Sequence, residues 1–230
     1  MSTFWIKVIA ITTMIIDHIG LFFFPQSIIL RAIGRISYPL FAWLVANGVR
    51  NTRSVYWYGA RVLLLAAISQ VPFLLLYRLF NPAFDQRNAI FTLFLGLVAA
   101  ASIQRLRSPL WYVPVVALLS YVGSLVRIEY GAGGVLLVAA AYVAARNVWL
   151  LAALIAAISG VFYVYPQVEF ALAVNNWDAA NFVALLHPVS LLGVIAVAMY
   201  NRSRGPRVGY WWYLVYPLHF FLIYLMLTRA

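Results

Sequence analysis

Residues Phe4 to Phe24 read FWIKVIAITTMIIDHIGLFFF, an apolar or weakly polar run broken only by Lys7 and the pair Asp17-His18. As a helix rising 1.5 Å per residue it spans about 30 Å, the thickness of a bilayer's hydrocarbon core. A carboxylate at that depth costs roughly 3 kcal/mol on insertion scales, and such residues mark function far more often than packing. His18 is therefore read as a catalytic base oriented by Asp17, with the other spans forming a chamber around it. Adjacent helix positions point about 100° apart, so Arg35 or a supporting group is the alternative partner for Asp17.

The rest of the chain agrees with a membrane setting. Its 230 residues are 66% hydrophobic and only 9% charged, with a mean hydropathy of +0.94, too little polar surface to coat a soluble globule. Apolar runs of about 17 to 23 residues suit helices rather than barrel strands of about 10. The expected fold is all-α, a polytopic bundle forming a single domain over residues 1–230. The net charge of +11 does not indicate nucleic acid, because the arginines mostly lie between apolar runs, where they set topology and meet lipid headgroups. The absence of cysteine excludes thiolate catalysis, iron–sulfur clusters and disulfides. The first segment is long enough to span and reads as a retained helix, not a signal peptide.

About nine spans are expected, within a range of eight to ten: 4–24, 28–48, 55–79, 88–104, 109–127, 130–146, 147–165, 179–200 and 209–228. Arg50 and Arg53, Arg105 and Arg107, Arg146, then Arg202, Arg204 and Arg207 fall in alternate connections, which predicts a cytoplasmic N-terminus and an external C-terminus. Asp85, Glu129, Glu169 and Asp178 lie in the opposite connections, together with Arg78, Arg87 and Arg127. His18 then sits about 16 Å above Lys7, in the outer half of the bilayer.

Several polar residues are candidates for the chamber. Arg31 and Arg35 are four apart, on one helical face, and would repel unless they share an anion; interfacial snorkelling is the alternative. Pro39 is expected to kink its helix and free a carbonyl. Gln70, beside Pro72, either bonds a freed backbone group or faces the site. Asn88 either caps the next helix or points its amide at substrate. Glu129 and Tyr130 offer an acid and a phenol at the membrane surface, with a solvated Glu129–Arg127 pair as the alternative. His187 is expected to be a packed histidine. His219, close after Tyr216 and Pro217, is evenly balanced between packing and function. The stretch from 166 to 182 reads as an external loop or half-helix without chemistry.

Known chemistries narrow the choice. Three histidines and five acids are scattered without zinc-ligand spacing, so no metal is expected. A Gly-x-Ser-x-Gly elbow and a glycine-rich phosphate loop are both missing. What remains is a histidine base in a polar chamber flanked by arginines, suited to deprotonating a hydroxyl or ammonium for attack on an activated acyl group.

The chain resembles the TraX family of membrane proteins, typified by the pilin N-acetylase of conjugative plasmids. Ile15-Ile16-Asp17-His18-Ile19-Gly20 with Phe23-Phe24-Pro25 is similar to the family's opening motif. Ile33-Gly34-Arg35-Ile36-Ser37-Tyr38-Pro39-Leu40-Phe41-Ala42 and Ile68-Ser69-Gln70-Val71-Pro72-Phe73 follow. Then come Asn88 with Phe91-Thr92-Leu93 and Leu95-Gly96, Glu129-Tyr130-Gly131 with Gly134-Val135-Leu136, Tyr200-Asn201 with Arg204-Gly205, and Tyr216-Pro217-Leu218-His219. The same residues resemble a broader superfamily of membrane acyltransferases that acetylate cell-surface sugars, whose hallmark is a basic residue, ten intervening residues and a catalytic histidine, matched here by Lys7 and His18. Glu129 stands where aspartate is expected, and His187-Pro188 has no counterpart.

The resemblance implies an acetyltransferase of the bacterial inner membrane. His18 would be the base, with Asp17 and Arg35 beside it. Lys7, Arg31, Arg50, Arg53 and Arg61 would hold the donor, acetyl-CoA, supplied from the cytoplasm. Gln70, Asn88, Glu129, Tyr130, Tyr216 and His219 would meet the acceptor, a protein amino terminus or a glycan, and Arg35 or Asn88 would stabilise the oxyanion. A proton-coupled transporter or lipid flippase and a structural subunit of a pilus or secretion assembly are the competing expectations.

Overall fold

The computed structural model describes residues 1–144, 147–177, 186–206, 209 and 211–229; Arg146, Asp178 and Arg207, used in the topology argument, lie outside them. Among the described residues the chain is helical, with no strand and one isolated parallel bridge between Arg87 and Ile128. The elements are α1 (Thr3–Phe23), α2 (Ile28–Gly34), α3 (Ser37–Asn51), α4 (Val55–Arg78), α5 (Ala89–Leu106), α6 (Pro109–Leu125) and α7 (Gly131–Ala144). After these come α8 (Val148–Ser159), a π turn (Gly160–Val164), α9 (Tyr165–Val174), a 3₁₀ turn (His187–Leu191), α10 (Leu192–Ala198) and α11 (Trp211–Arg229).

Five helical stretches are long and apolar enough to cross a membrane: Thr3–Phe23, Ile28–Asn51, Val55–Arg78, Ala89–Leu106 and Val148–Val174. Large apolar side chains point outward along them, Ile29 at 72% and Trp149 at 83% exposure among others. In water a surface of this kind would be an aggregation site, and in a bilayer it meets lipid. The chain is a multi-pass membrane protein.

Two expected boundaries move. The seventh span runs on through Val174, its register eased by the π turn, so residues 166–174 are helix, the second of the two alternatives for that stretch. The second span breaks at Arg35-Ile36, ahead of Pro39. Pro39 is the third residue of α3, where a missing N–H leaves no intrahelical bond unmade; the proline starts a helix instead of kinking one.

The chain divides into two compact units, Met1–Asn47 with Leu136–Gly205 and Gly48–Val135 with Pro206–Ala230. In the first, α1 and α2 pack closely because two glycines remove the atoms that would keep them apart. A Cβ on Gly20 would lie 2.6 Å from the Leu30 Cβ, and one on Gly34 would run into the Asp17 carboxylate. Gly193 of α10 rests against the Ile36 carbonyl, 3.3 Å from where its Cβ would be.

The start of α1 is capped by another part of the same unit. Thr3 and Phe4 donate their N–H groups to Ser203 O (2.9 Å) and Arg204 O (3.2 Å), Asn201 N–H donates to Met1 O (2.8 Å), and the terminal amine bonds Met199 O. These bonds satisfy first-turn donors that Ser2 does not cap. They require the positive φ of Gly205, where a Cβ would strike Ser2.

In the second unit, α4 packs against α5 and α11, and α5 against α6. Phe73 is fully buried and centres an aromatic cluster with Tyr77, Phe84 and Phe220, ring centroids 4.6–5.6 Å away. Two connections are zipped together: Arg87 N–H donates to Arg127 O (3.0 Å), and Glu129 N–H to Arg87 O (2.9 Å). This bridge fixes where Glu129 and Tyr130 begin.

Candidate functional site

The polar residues of the first unit gather where α1 meets α2. Asp17 and Arg31 form a close ion pair, Nη1 to Oδ1 2.6 Å, and Arg31 also reaches the Asp17 carbonyl at 3.3 Å. Arg35 approaches the same Oδ1 at 3.7 Å, a charge contact too long for a hydrogen bond. All three side chains are 12–14% exposed. Two guanidiniums against one carboxylate leave one positive charge in excess. Gly34 makes this possible, since any larger residue would occupy the space the Asp17 carboxylate fills.

His18 does not take its orientation from Asp17. Its Nδ1 lies 3.0 Å from the Met14 carbonyl one turn back, which can only accept, so Nδ1 carries the proton and the basic lone pair is on Nε2. The main chain therefore does what the sequence assigned to the neighbouring carboxylate, because consecutive side chains on a helix diverge. The ring is buried and runs parallel to that of Phe22, 6.4 Å away. His219 in the second unit repeats the arrangement, Nδ1 to the Val215 carbonyl at 3.2 Å.

His187, expected to be a packed histidine, does pack on a ring, and it also lies near the arginines. It opens the 3₁₀ turn, stacks on Tyr163 with centroids 4.4 Å apart, and lies within electrostatic reach of both Arg35 and Arg31.

In the second unit, Gln70 and Asn88 form one network. Gln70 Nε2 donates to Gln86 O (2.8 Å), while its Oε1 accepts from Asn88 N (3.0 Å) and Nδ2 (2.9 Å). Asn88 Nδ2 also donates to Ala66 O (2.8 Å), and its Oδ1 caps α5 by accepting from Ile90 N (3.0 Å). Fully buried and with both amide hydrogens committed, Asn88 has no donor left for an oxyanion or a substrate; it holds the fold. Gln70 binds the backbone of the 79–88 connection, not a carbonyl freed by Pro72.

The Ala89 N–H donates to the Tyr216 hydroxyl, and Glu129, Tyr130 and Tyr77 lie within electrostatic reach of it. Arg127 pairs with Asp85 (3.0 Å), exposed by half or more, rather than with Glu129. Lys7, Arg53 and Arg61 are exposed; Arg50 lies in the last turn of α3 and is half-buried. Among the described residues no group of three or more potential ligands could hold a metal ion.

Fold and site together define a class: a multi-pass helical membrane protein with a main-chain-oriented histidine beside a buried, positively charged cluster. The family described as TraX protein matches residues 2–227, and the chain belongs to it. It is 30% identical over 244 aligned positions to a protein of Dichelobacter nodosus named a probable fimbrial assembly protein, FimC, covering 96% of this chain and 94% of the relative. An uncharacterized protein of Rickettsia prowazekii (strain Madrid E) is 29% identical over 91 residues, 40% of this chain and 33% of that protein. No solved structure matches.

Proposed function

We propose that this protein moves an acetyl group from acetyl-CoA to an amine or hydroxyl acceptor, with His18 Nε2 as general base. The observation that carries this is the hydrogen bond from Nδ1 to the Met14 carbonyl, which keeps the ring in one tautomer and its lone pair on the opposite nitrogen. An acceptor N–H or O–H gives its proton to Nε2 as it attacks the thioester carbonyl. The carbon–sulfur bond then breaks, and the thiolate of CoA leaves with the proton returned by the imidazolium. General-base assistance of this kind contributes about 10²–10⁴-fold.

The donor is proposed to approach from the cytoplasm, drawn by Lys7, Arg50, Arg53 and Arg61. Similarity to a fimbrial assembly protein favours a pilin amino terminus over a glycan. The membrane is proposed to be the bacterial inner membrane, with the N-terminus on its cytoplasmic side and the C-terminus outside. The bonds tying Met1, Thr3 and Phe4 to residues 199–204 support one side for the N-terminus and the Arg202–Arg204 connection.

The relative's name also fits a non-enzymatic assembly subunit, in which His18 would only pack. Purified protein incubated with labelled acetyl-CoA separates the two. The wild type is expected to release CoA and label an amine acceptor, and His18→Gln to fall by about 10³-fold while keeping its elution profile and melting temperature. Undiminished transfer by the variant would remove His18 as the base.

A further inference from the structure

The excess positive charge of the first unit has donors to spare. Arg31 is used by Asp17, but among the described residues Arg35 makes only one long hydrogen bond, Nε to Arg31 O at 3.4 Å, and its two terminal nitrogens have no hydrogen-bond partner there. A guanidinium 12% exposed, in a membrane protein, is costly unless an anion completes it.

Two more polar groups on the neighbouring 3₁₀ turn are in the same condition. Ser190 is 3% exposed, and its hydroxyl is buried without a partner among the described residues. His187 makes a ring contact with Tyr163 but has no hydrogen bond to a described residue. In a 3₁₀ helix side chains three apart are eclipsed, so His187 and Ser190 share a face of the turn. That turn packs against α2, and Gly193 just beyond it touches the Ile36 carbonyl beside Arg35.

We propose that Arg35, His187 and Ser190, backed by the charge of Arg31, form a seat for the oxygens of one phosphate group. Arg35 offers a planar fork of donors, the geometry suited to phosphate oxygens. His187 and Ser190 add an N–H and an O–H from a second direction, so a tetrahedral group satisfies the set better than a planar carboxylate. The seat lies wholly within the first unit and does not depend on acetyl transfer, since it is read by binding with no acyl donor present.

The test is thermal unfolding of the purified full-length protein in phosphatidylcholine nanodiscs, titrated with sodium phosphate or, at matched ionic strength, sodium acetate. Phosphate is expected to raise the melting temperature of the wild type saturably, and acetate to leave it in place. Arg35→Gln, which leaves the Asp17–Arg31 pair intact, should abolish the shift. Ser190→Ala, a smaller change that removes only a buried hydroxyl, should weaken apparent affinity about 3-fold or more, and His187→Phe by about 10-fold, as the loss of one hydrogen bond each implies. Adding phosphatidylglycerol to the discs separates the sources: if a lipid phosphate fills the seat, that lipid itself raises the wild-type melting temperature, and not that of Arg35→Gln, and free phosphate loses its effect. The seat is disproved if neither free phosphate nor phosphatidylglycerol shifts the wild type, if Arg35→Gln and Ser190→Ala respond like the wild type, or if acetate does as well as phosphate.

Discussion

The Asp17–Arg31–Arg35 cluster of the first unit and the Gln70–Asn88 network of the second are both polar groups set among apolar helices, yet they are finished differently. Asn88 and Gln70 bond each other and the carbonyls of Ala66 and Gln86, and cap α5, so every polar atom meets another within the fold. The arginine cluster ends with a charge in excess and with donors that no described residue accepts. A neutral network satisfied by main chain stabilises structure. A buried charge left over is tolerated where something else is to be bound.

That difference can be broken most severely at its carboxylate. Asp17→Leu leaves two buried guanidiniums with no counter-charge and is expected to cost at least about 3–5 kcal/mol, read as loss of monodisperse protein; Asp17→Leu with Arg31→Leu should recover much of it. If Asp17→Leu alone is as stable as the wild type, the cluster is not an electrostatic unit. Gly34→Ala pushes a methyl group into the Asp17 carboxylate and should cost about 1–3 kcal/mol, measured by thermal unfolding, with Gly160→Ala as the harmless control because nothing lies near that position.

On the other side of the comparison, Asn88→Ala removes a helix cap and leaves Gln70 short of its partner. It should lower stability by about 1–2 kcal/mol without changing the apparent KM for an acceptor. A raised KM would return Asn88 to the binding residues. The smallest effect is expected for Arg127→Gln. Its pair with Asp85 is 65% and 50% exposed, and such pairs contribute less than about 1 kcal/mol after screening, so a shift in melting temperature beyond a few degrees would mean that the connection zipped to Arg87 depends on that charge.

Much of the candidate site was legible because its residues break a strong pattern. Asp17, His18, Arg31 and Arg35 stand out inside apolar runs, and their spacing already suggested that the arginines share an anion. Less visible was which group holds which. The Met14 carbonyl that orients His18 has no signature, since every residue has one, and the divergence of neighbouring side chains only warned against Asp17. The packing of His187 was legible, but its nearness to Arg35 was not, because that needs elements about 150 residues apart to be brought together. Asn88 was undecided between cap and ligand until its second amide hydrogen was seen to bond Ala66.

The sequence by itself determined that this chain is a helical membrane protein, where most of its spans lie, and which ionisable residues are too costly to be incidental. Hydropathy and helix length are local, additive properties, so they survive without knowledge of neighbours. Only the tertiary structure decided the partners: that a glycine at 34 makes room for the Asp17 carboxylate, that the α1 terminus is capped by residues 203 and 204, and that the terminal nitrogens of Arg35 donate to no described residue. Those depend on atoms brought within a few ångströms across long sequence separations, where a methyl group more or less changes the answer.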